Sequence, residues 1–409
     1  MSLTSLYRRA IHLPAHVPTS RKWSGIFGRI RAQIQKKAKR QGVLHKNLMR
    51  YLLEYDYRSI LYFNYGHHGV QNSLAYNELK AICNSKIVFY LHDLIPIDYP
   101  EYVRKGDENT HAKRVSTMAN YGDLIAVNSN STKVRFEEFC RQRNIVPPTT
   151  IPLRIGVEDS FLERESPKLN EGLHLGGRTY FVTIGTIEPR KNHLLLLLIW
   201  RRLYKELGHD CPRLVIIGSR GWNISNIIEM LDRCPSLKES VVEYNGLDDR
   251  KLTWILRNAR ALLAPSFSEG WGMPLVEAMS LGVPVICSDI AAHRESTQEL
   301  AVYIDPLNGD AWRRAILQYS NSPESIQAAI SKQKKFNPPT WRSHFEDLRT
   351  QIEELSRETQ DWQPVEHYEQ RWRQSGEMSR RRPGRSVAVE EQLKAAYMRV
   401  LPPNSNRHT

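Results

Sequence analysis

The chain has no apolar run long enough to cross a bilayer. Its longest, Leu194 to Trp200, falls far short of the roughly 20 residues a spanning helix needs, and the N-terminus shows no apolar core ending in a small-residue cleavage site. With a mean hydropathy of -0.50, these absences argue against a membrane bundle or a secreted chain, and the expected location is the cytoplasm. Cysteine is scarce: Cys83, Cys140, Cys211, Cys234 and Cys287 are scattered, odd in number and never in a CxxC pair, so neither a disulfide framework nor a zinc knuckle is expected. Asp-x-Asp, G-x-S-x-G, G-x-x-x-x-G-K-[ST] and G-x-G-x-x-G are all missing. Metal-carried diphosphate, serine-nucleophile, P-loop and dinucleotide chemistry therefore find no support, and no metal site or resident cofactor is expected.

Acidic residues are missing from one stretch. Residues 1–50 hold 12 Lys or Arg and no Asp or Glu, so the formal net charge of +14 belongs almost wholly to an N-terminal arm. A near-neutral body with a basic arm lacks the basic folded face of a nucleic-acid binder, and nucleic acid is not an expected partner. Within the arm, Trp23, Ile26, Phe27, Ile30 and Ile34 recur at helical spacing among Arg29, Arg31, Lys36, Lys37, Lys39 and Arg40. This fits a basic amphipathic helix lying peripherally on an anionic membrane, on its inner face, and equally well a helix packed on the neighbouring domain with a solvated basic face.

What remains is the length of two α/β domains plus extensions. Short apolar β-prone runs alternate with helical patterns, which predicts parallel sheets wrapped by helices. The reading is a basic extension over 1–57, a Rossmann-like domain over 58–170, a second over 171–355 and a polar, unstructured tail over 356–409. Strands are expected at Ile60 to Phe63, Lys86 to Leu91 and Asp123 to Val127. In the second domain they are expected at Tyr180 to Ile184, Leu214 to Ile217, Val241 to Tyr244, Ala261 to Ala264 and Val283 to Cys287. Ligands in such sheets bind beyond the carboxyl ends of the strands.

Two motifs stand at such ends. The first is Glu269-Gly270-Trp271-Gly272-Met273-Pro-Leu-Val-Glu277. Its glycines admit close approach of a ligand, and the amides of Trp271, Gly272 and Met273 lie where a helix start attracts anions. Glu269 and Glu277 offer acceptors for sugar or ribose hydroxyls; taken singly, Glu277 would be no more than dipole compensation. The second is Gly185-Thr-Ile-Glu-Pro-Arg190-Lys191-Asn192. It places two cations in or near the first turn of the next helix, where the dipole disfavours them, so they call for an anion such as a diphosphate. The plain alternative is two side chains extended into solvent. His92, in Tyr90-Leu-His92-Asp93-Leu-Ile-Pro96, ends a strand of the first domain and is a weaker candidate, since a lone strand-end histidine is more often structural; Asp93 reads as orienting the loop.

With these residues in view, the chain resembles the retaining glycosyltransferases of GT-B fold that carry an E-x(7)-E motif. Here that motif is EGWGMPLVE, supported by GTIEPRKN, IGSRGW, ARALLAPSFSEG, LGVPVICSD, LHDLIPIDYPE and LIAVNSNST. The resemblance implies two Rossmann-like domains facing across a cleft, with a final helix near Trp341 to Leu355 crossing back to the first. It makes Glu269 a contact to the donor sugar and Glu277 a contact to the ribose. Arg190 and Lys191 become the diphosphate ligands that stabilise its charge, and His92 the cleft histidine. Gly185, Gly270, Trp271, Gly272 and Met273 complete the donor-binding set. The implied activity is metal-independent transfer of a hexose from a nucleotide sugar to a glycan or glycolipid acceptor in surface polysaccharide or lipopolysaccharide synthesis. The stretch LHDLIP leans towards mannose and GDP-mannose. Residues 1–57 depart from the family pattern by showing no opening strand–Gly–helix unit. That departure sustains a second reading, a catalytically silent nucleotide-sugar binder serving as a partner in a polysaccharide-assembly complex.

Overall fold

The computed structural model describes residues 8–12, 59–67, 69–82, 84–163 and 177–357. The amphipathic pattern at Trp23 to Ile34 and the tail expected over 356–409 lie outside them, but for the last turn of the final helix. The described residues divide into two compact units, one of residues 8–12, 59–67, 74–82, 84–87 and 355–357, the other of residues 69–73, 88–163 and 177–354.

In the first unit, β1 (Arg8–His12) runs antiparallel to β2 (Ser59–Asn64), with Arg8 opposite Asn64 and His12 opposite Ile60. The strand β1 is an element the sequence reading does not contain. Helix α1 (Ser73–Ile82) buries Ala75, Tyr76 and Leu79, and Tyr76 Oη accepts from Asn64 Nδ2 at 3.1 Å.

Strand β3 (Asn84–Leu91) leads into the second unit, where Val88 to Leu91 pair in parallel with β4 (Leu124–Val127), and β4 with β5 (Thr149–Pro152). Val88 to Leu91 and β4 are buried on both faces, the mark of a parallel strand covered by helices, which is why neither alternates in polarity. Between them lie the short α2 (Ile95–Asp98) and α3 (Asp107–Tyr121). Then α4 (Asn130–Gln142) starts where Ser129 caps it, its side chain accepting from Thr132 N at 3.1 Å.

The second sheet is six-stranded and parallel: β6 (Tyr180–Ile184), β7 (Arg213–Ile217), β8 (Val241–Tyr244), β9 (Leu262–Ala264), β10 (Val285–Ser288) and β11 (Val302–Ile304), in the order β11-β10-β9-β6-β7-β8. The chain reverses direction of travel across the sheet between β6 and β9, the switch point at which such folds hold ligands. The helices are α5 (His193–Leu207), α6 (Ser225–Arg233), α7 (Pro235–Ser240), α8 (Asp249–Arg257), α9 (Met273–Ser280), α10 (Ala291–Ser296), α11 (Gly309–Asn321), α12 (Pro323–Gln333) and α13 (Trp341–Arg357). Leu196, Leu197, Trp200 and Leu203 form the buried stripe of α5, and Trp200 and Trp312 are fully buried with Phe181 beneath the sheet. Each such large side chain contributes about 1.5–3 kcal/mol by leaving water. The last helix returns to the first sheet as expected: the His344 ring lies 6.3 Å from that of Tyr90, and His344 Nδ1 is 2.7 Å from the Arg154 carbonyl. The fold class is therefore α/β, as the sequence reading expects, with parallel strand pairing throughout the second sheet and from β3 to β5 in the first, and an antiparallel pair at β1 and β2.

Candidate functional site

The two motifs meet. Residues 189–191 form a single 3-10 turn after β6. Its backbone is pinned to the loop after β9 by Phe267 N donating to Arg190 O at 2.9 Å, and by Arg190 Nη1 donating to Ser268 O at 2.7 Å. This brings Arg190 Nη1 to 2.7 Å from Glu269 Oε2 and Lys191 Nζ to 2.6 Å from Glu269 Oε1. The second guanidinium nitrogen of Arg190 donates to Glu188 Oε1 at 2.6 Å. Glu188, Arg190, Glu269 and Lys191 thus form one chain of alternating charge.

The expectation that Arg190 and Lys191 stand in or near the first turn of the following helix is narrowed here: they precede it, because Asn192 adopts a left-handed conformation (φ 55°) and α5 begins only at His193. Asparagine tolerates that conformation better than most residues. Nor does a helix dipole leave the two cations unbalanced, since Glu269 and Glu188 already balance them. They are not solvent-extended either; their side chains are only 17% and 16% exposed.

The charge balance sets the protonation states. Burial would raise the Glu269 carboxyl, but Lys191 and then Arg190 overcome it and hold it at about 2. The Arg190 guanidinium is raised: burial works against its charge, and Glu269 and Glu188 prevail. Glu277, one helix turn into α9, is the opposite case. Burial, followed by the nearby Asp249 and Glu158 charges, pushes it up to about 7, and no hydrogen bond or ion pair reaches its carboxyl among the described residues. Glu269 is a carboxylate between cations, and Glu277 a poised carboxyl with an open acceptor capacity.

The loop from Glu269 to Gly272 is placed by close approaches. A Cβ on Gly270 would stand 2.4 Å from the His92 carbonyl oxygen, 2.9 Å from Asn128 Nδ2 and 3.1 Å from Asp93 Cβ. The His92 loop therefore lies directly against the donor motif, and only glycine fits between them. Ser129 Oγ donates to Gly270 O at 2.8 Å. Asp93 orients its loop, Oδ1 accepting from Ile95 N at 3.0 Å, and the His92 ring sits 5.0 Å from that of Tyr90. Gly185 packs on the Lys191 side chain, a Cβ there meeting Cε at 3.2 Å. Trp271 is buried in the second sheet's core, whereas Met273 and Pro274 open α9. A small cavity is lined by Thr183, Lys191, Ser266, Glu269, Gly272 and Pro274 among others.

Residues the sequence reading did not single out complete the site. Glu188 is buried against Arg190, and its signal was its place directly before Pro-Arg-Lys. His293 is fully buried near Glu269, with Nδ1 3.0 Å from the Ser288 carbonyl. Burial holds its pKa at about 4, so it is neutral and adds no charge to the balance. Among the described residues no group of three or more His, Cys, Asp or Glu could hold a metal ion, and no helix is long and apolar enough to cross a membrane.

The family comparison falls on the region that holds this site. Residues 167–336 match the family model described as glycosyl transferases group 1. The serotype-specific mannosyltransferase WbdA of Escherichia coli is 28% identical over 269 residues, which are 64% of this chain and 32% of that protein. The O-antigen chain mannosyltransferase B of Escherichia coli is 28% identical over 280 residues, 68% of this chain and 69% of that one. The match to WbdA thus spans about a third of that relative's length. Among solved structures, sucrose-phosphate synthase from Thermosynechococcus elongatus superposes with a TM-score of 0.57 at 18% identity, covering 85% of this chain and 84% of that one. Its likeness shows the fold, GT-B.

Proposed function

We propose that this chain, a GT-B protein whose residues 167–336 form a glycosyl transferases group 1 domain, transfers a hexose from a nucleotide sugar to a glycan or lipid-linked acceptor, with retention and without a metal. The observation that carries the reading is Glu269 held between Arg190 and Lys191 at the head of α9, with the poised Glu277 on the same helix. A diphosphate arriving at Arg190 and Lys191 finds two cations already fixed in place, so no reorganisation is needed as its charge grows. Glu269, released from Lys191 by the incoming anion, is then free to accept from a sugar hydroxyl. Glu277 accepts from the ribose, and the leaving phosphate takes the acceptor's proton as the new bond forms on the same face.

Mannose from GDP-mannose is the donor this reading favours, supported by LHDLIP and by the mannosyltransferase relatives. The biosynthetic context it favours is O-antigen-like surface polysaccharide, built at the cytoplasmic face with the basic residues of 1–50 drawing the chain to anionic lipid. The test is a panel of nucleotide sugars scored by release of free nucleoside diphosphate. Release from GDP-mannose in the presence of a mannan-type or lipid-linked acceptor supports the reading; donor binding without release to any acceptor supports the silent binder instead.

A further inference from the structure

Among the polar contacts that join the two halves of the second unit is a built one that donor binding does not use. Glu295, in the short α10 beyond β10, presents its carboxylate to the start of α4 in the first sheet's half. Asn130 N donates to both oxygens, at 3.0 and 2.8 Å, Asn130 Nδ2 donates to Oε1 at 2.9 Å, and Ser131 N reaches Oε2 at 3.4 Å. The neighbouring Ser129 donates to Gly270 O. Two consecutive residues of one half, Ser129 and Asn130, therefore hold two elements of the other, the donor loop and α10, across 141 and 165 residues of sequence. A carboxylate on the amides of a 13-residue helix start is favoured by the free N–H groups and by the dipole. Nearby, Tyr102 stacks on Phe267 at 5.7 Å and its carbonyl accepts from Trp222 Nε1 at 2.9 Å.

We propose that Glu295 is a positioning residue for transfer: by capping α4 from the opposite half it holds the closed arrangement in which the His92 loop lies on Gly270, next to Glu269. The inference rests on the transferase reading of that site. The donor-site residues Arg190, Lys191, Glu269 and Glu277 all belong to the half that carries Glu295. Loss of the contact therefore leaves nucleotide binding intact while separating the acceptor-side loop from the donor.

The experiment is a double-mutant cycle with Glu295→Ala and Asn130→Ala in the full chain, with Glu295→Gln as the conservative variant. Each is measured for transfer from GDP-mannose, for GDP affinity by calorimetry, and for radius of gyration by X-ray scattering. Glu295→Ala is expected to lower kcat about tenfold or more, the worth of a charge-assisted hydrogen-bond pair, with GDP affinity within twofold of wild type and a larger radius. The Asn130 change should add little to it, and Glu295→Gln should recover part of the rate. Unchanged kcat and radius would overturn the proposal, as would a fall in GDP affinity that parallels the loss of rate, which marks a merely structural role. Scattering reads the contact even if GDP-mannose is not the donor: an enlarged radius in Glu295→Ala with no transfer by wild type would count against the proposed reaction and leave the contact established.

Discussion

Lys191 Nζ and Arg190 Nη1 hold the two oxygens of Glu269 at 2.6 and 2.7 Å, so that the anion expected at these cations is supplied by the protein's own carboxylate. An incoming diphosphate must compete with it. Removing the negative charge of Glu269 while keeping its shape should therefore strengthen binding of free nucleoside diphosphate and abolish use of the sugar. For Glu269→Gln we expect GDP to bind about tenfold more tightly, the equivalent of 1.4 kcal/mol, and transfer to fall about a hundredfold or more. Calorimetry and product release check both; weaker GDP binding would show that Glu269 is not the competing anion. The glutamine variant is preferred to alanine because it removes the charge while keeping the side chain's volume and one carbonyl oxygen to accept from Arg190 or Lys191.

Glu277 gives a pH signature. Its carboxyl is raised to about 7 by burial and by Asp249 and Glu158, so its contribution to stability is fully present below its unfolded value near 4.5 and is lost as pH rises through 7. Ribose binding needs the ionised acceptor and runs the other way. GDP affinity should rise as pH increases through about 7, and Glu277→Gln should remove that step, leaving only the nucleotide's own ionisation. Parallel pH profiles for the two proteins would place the ribose elsewhere.

Gly270 sits where no side chain fits, with the His92 carbonyl 2.4 Å from any Cβ. Gly270→Ala should push the His92 loop away, cost about 1–3 kcal/mol of stability as overpacking does, and lower kcat more than it weakens GDP binding. Full activity in that variant would mean that the His92 loop is not part of the working site.

The parts of this site legible in sequence are those set by local pattern. The strands Tyr180–Ile184 and Val241–Tyr244 were readable as apolar runs between turns, and EGWGMPLVE announced its loop and helix. Thr149–Pro152 and Val302–Ile304 were not, because neither is a fully buried apolar run: the first alternates in exposure and ends in proline, and the second is a three-residue edge strand. The helix start near Asn192 was legible, but the left-handed turn of that residue (φ 55°) was not, its one cue being asparagine's tolerance of positive φ. The pairing of Glu269 with Lys191, and of Glu295 with Asn130, joins residues 78 and 165 positions apart. No spacing rule reaches that far, so the charge balance of the site became visible only in three dimensions.

Because charge at the site comes from Arg190 and Lys191 rather than from clustered carboxylates, transfer is expected to persist in excess EDTA. Loss of turnover that Mg2+ or Mn2+ restores would require a different account of the diphosphate.

The most direct test of the central claim is Lys191→Ala, assayed for GDP affinity by calorimetry and for single-turnover transfer from GDP-mannose. Lys191 is fixed 2.6 Å from Glu269 before any ligand arrives, and a group held in place for charge that develops in the transition state lowers the barrier more than it aids ground-state binding. The account predicts a fall in rate of about a hundredfold or more with a change in GDP affinity of no more than about tenfold. Equal losses in rate and affinity, or a variant that transfers as fast as wild type, would contradict it.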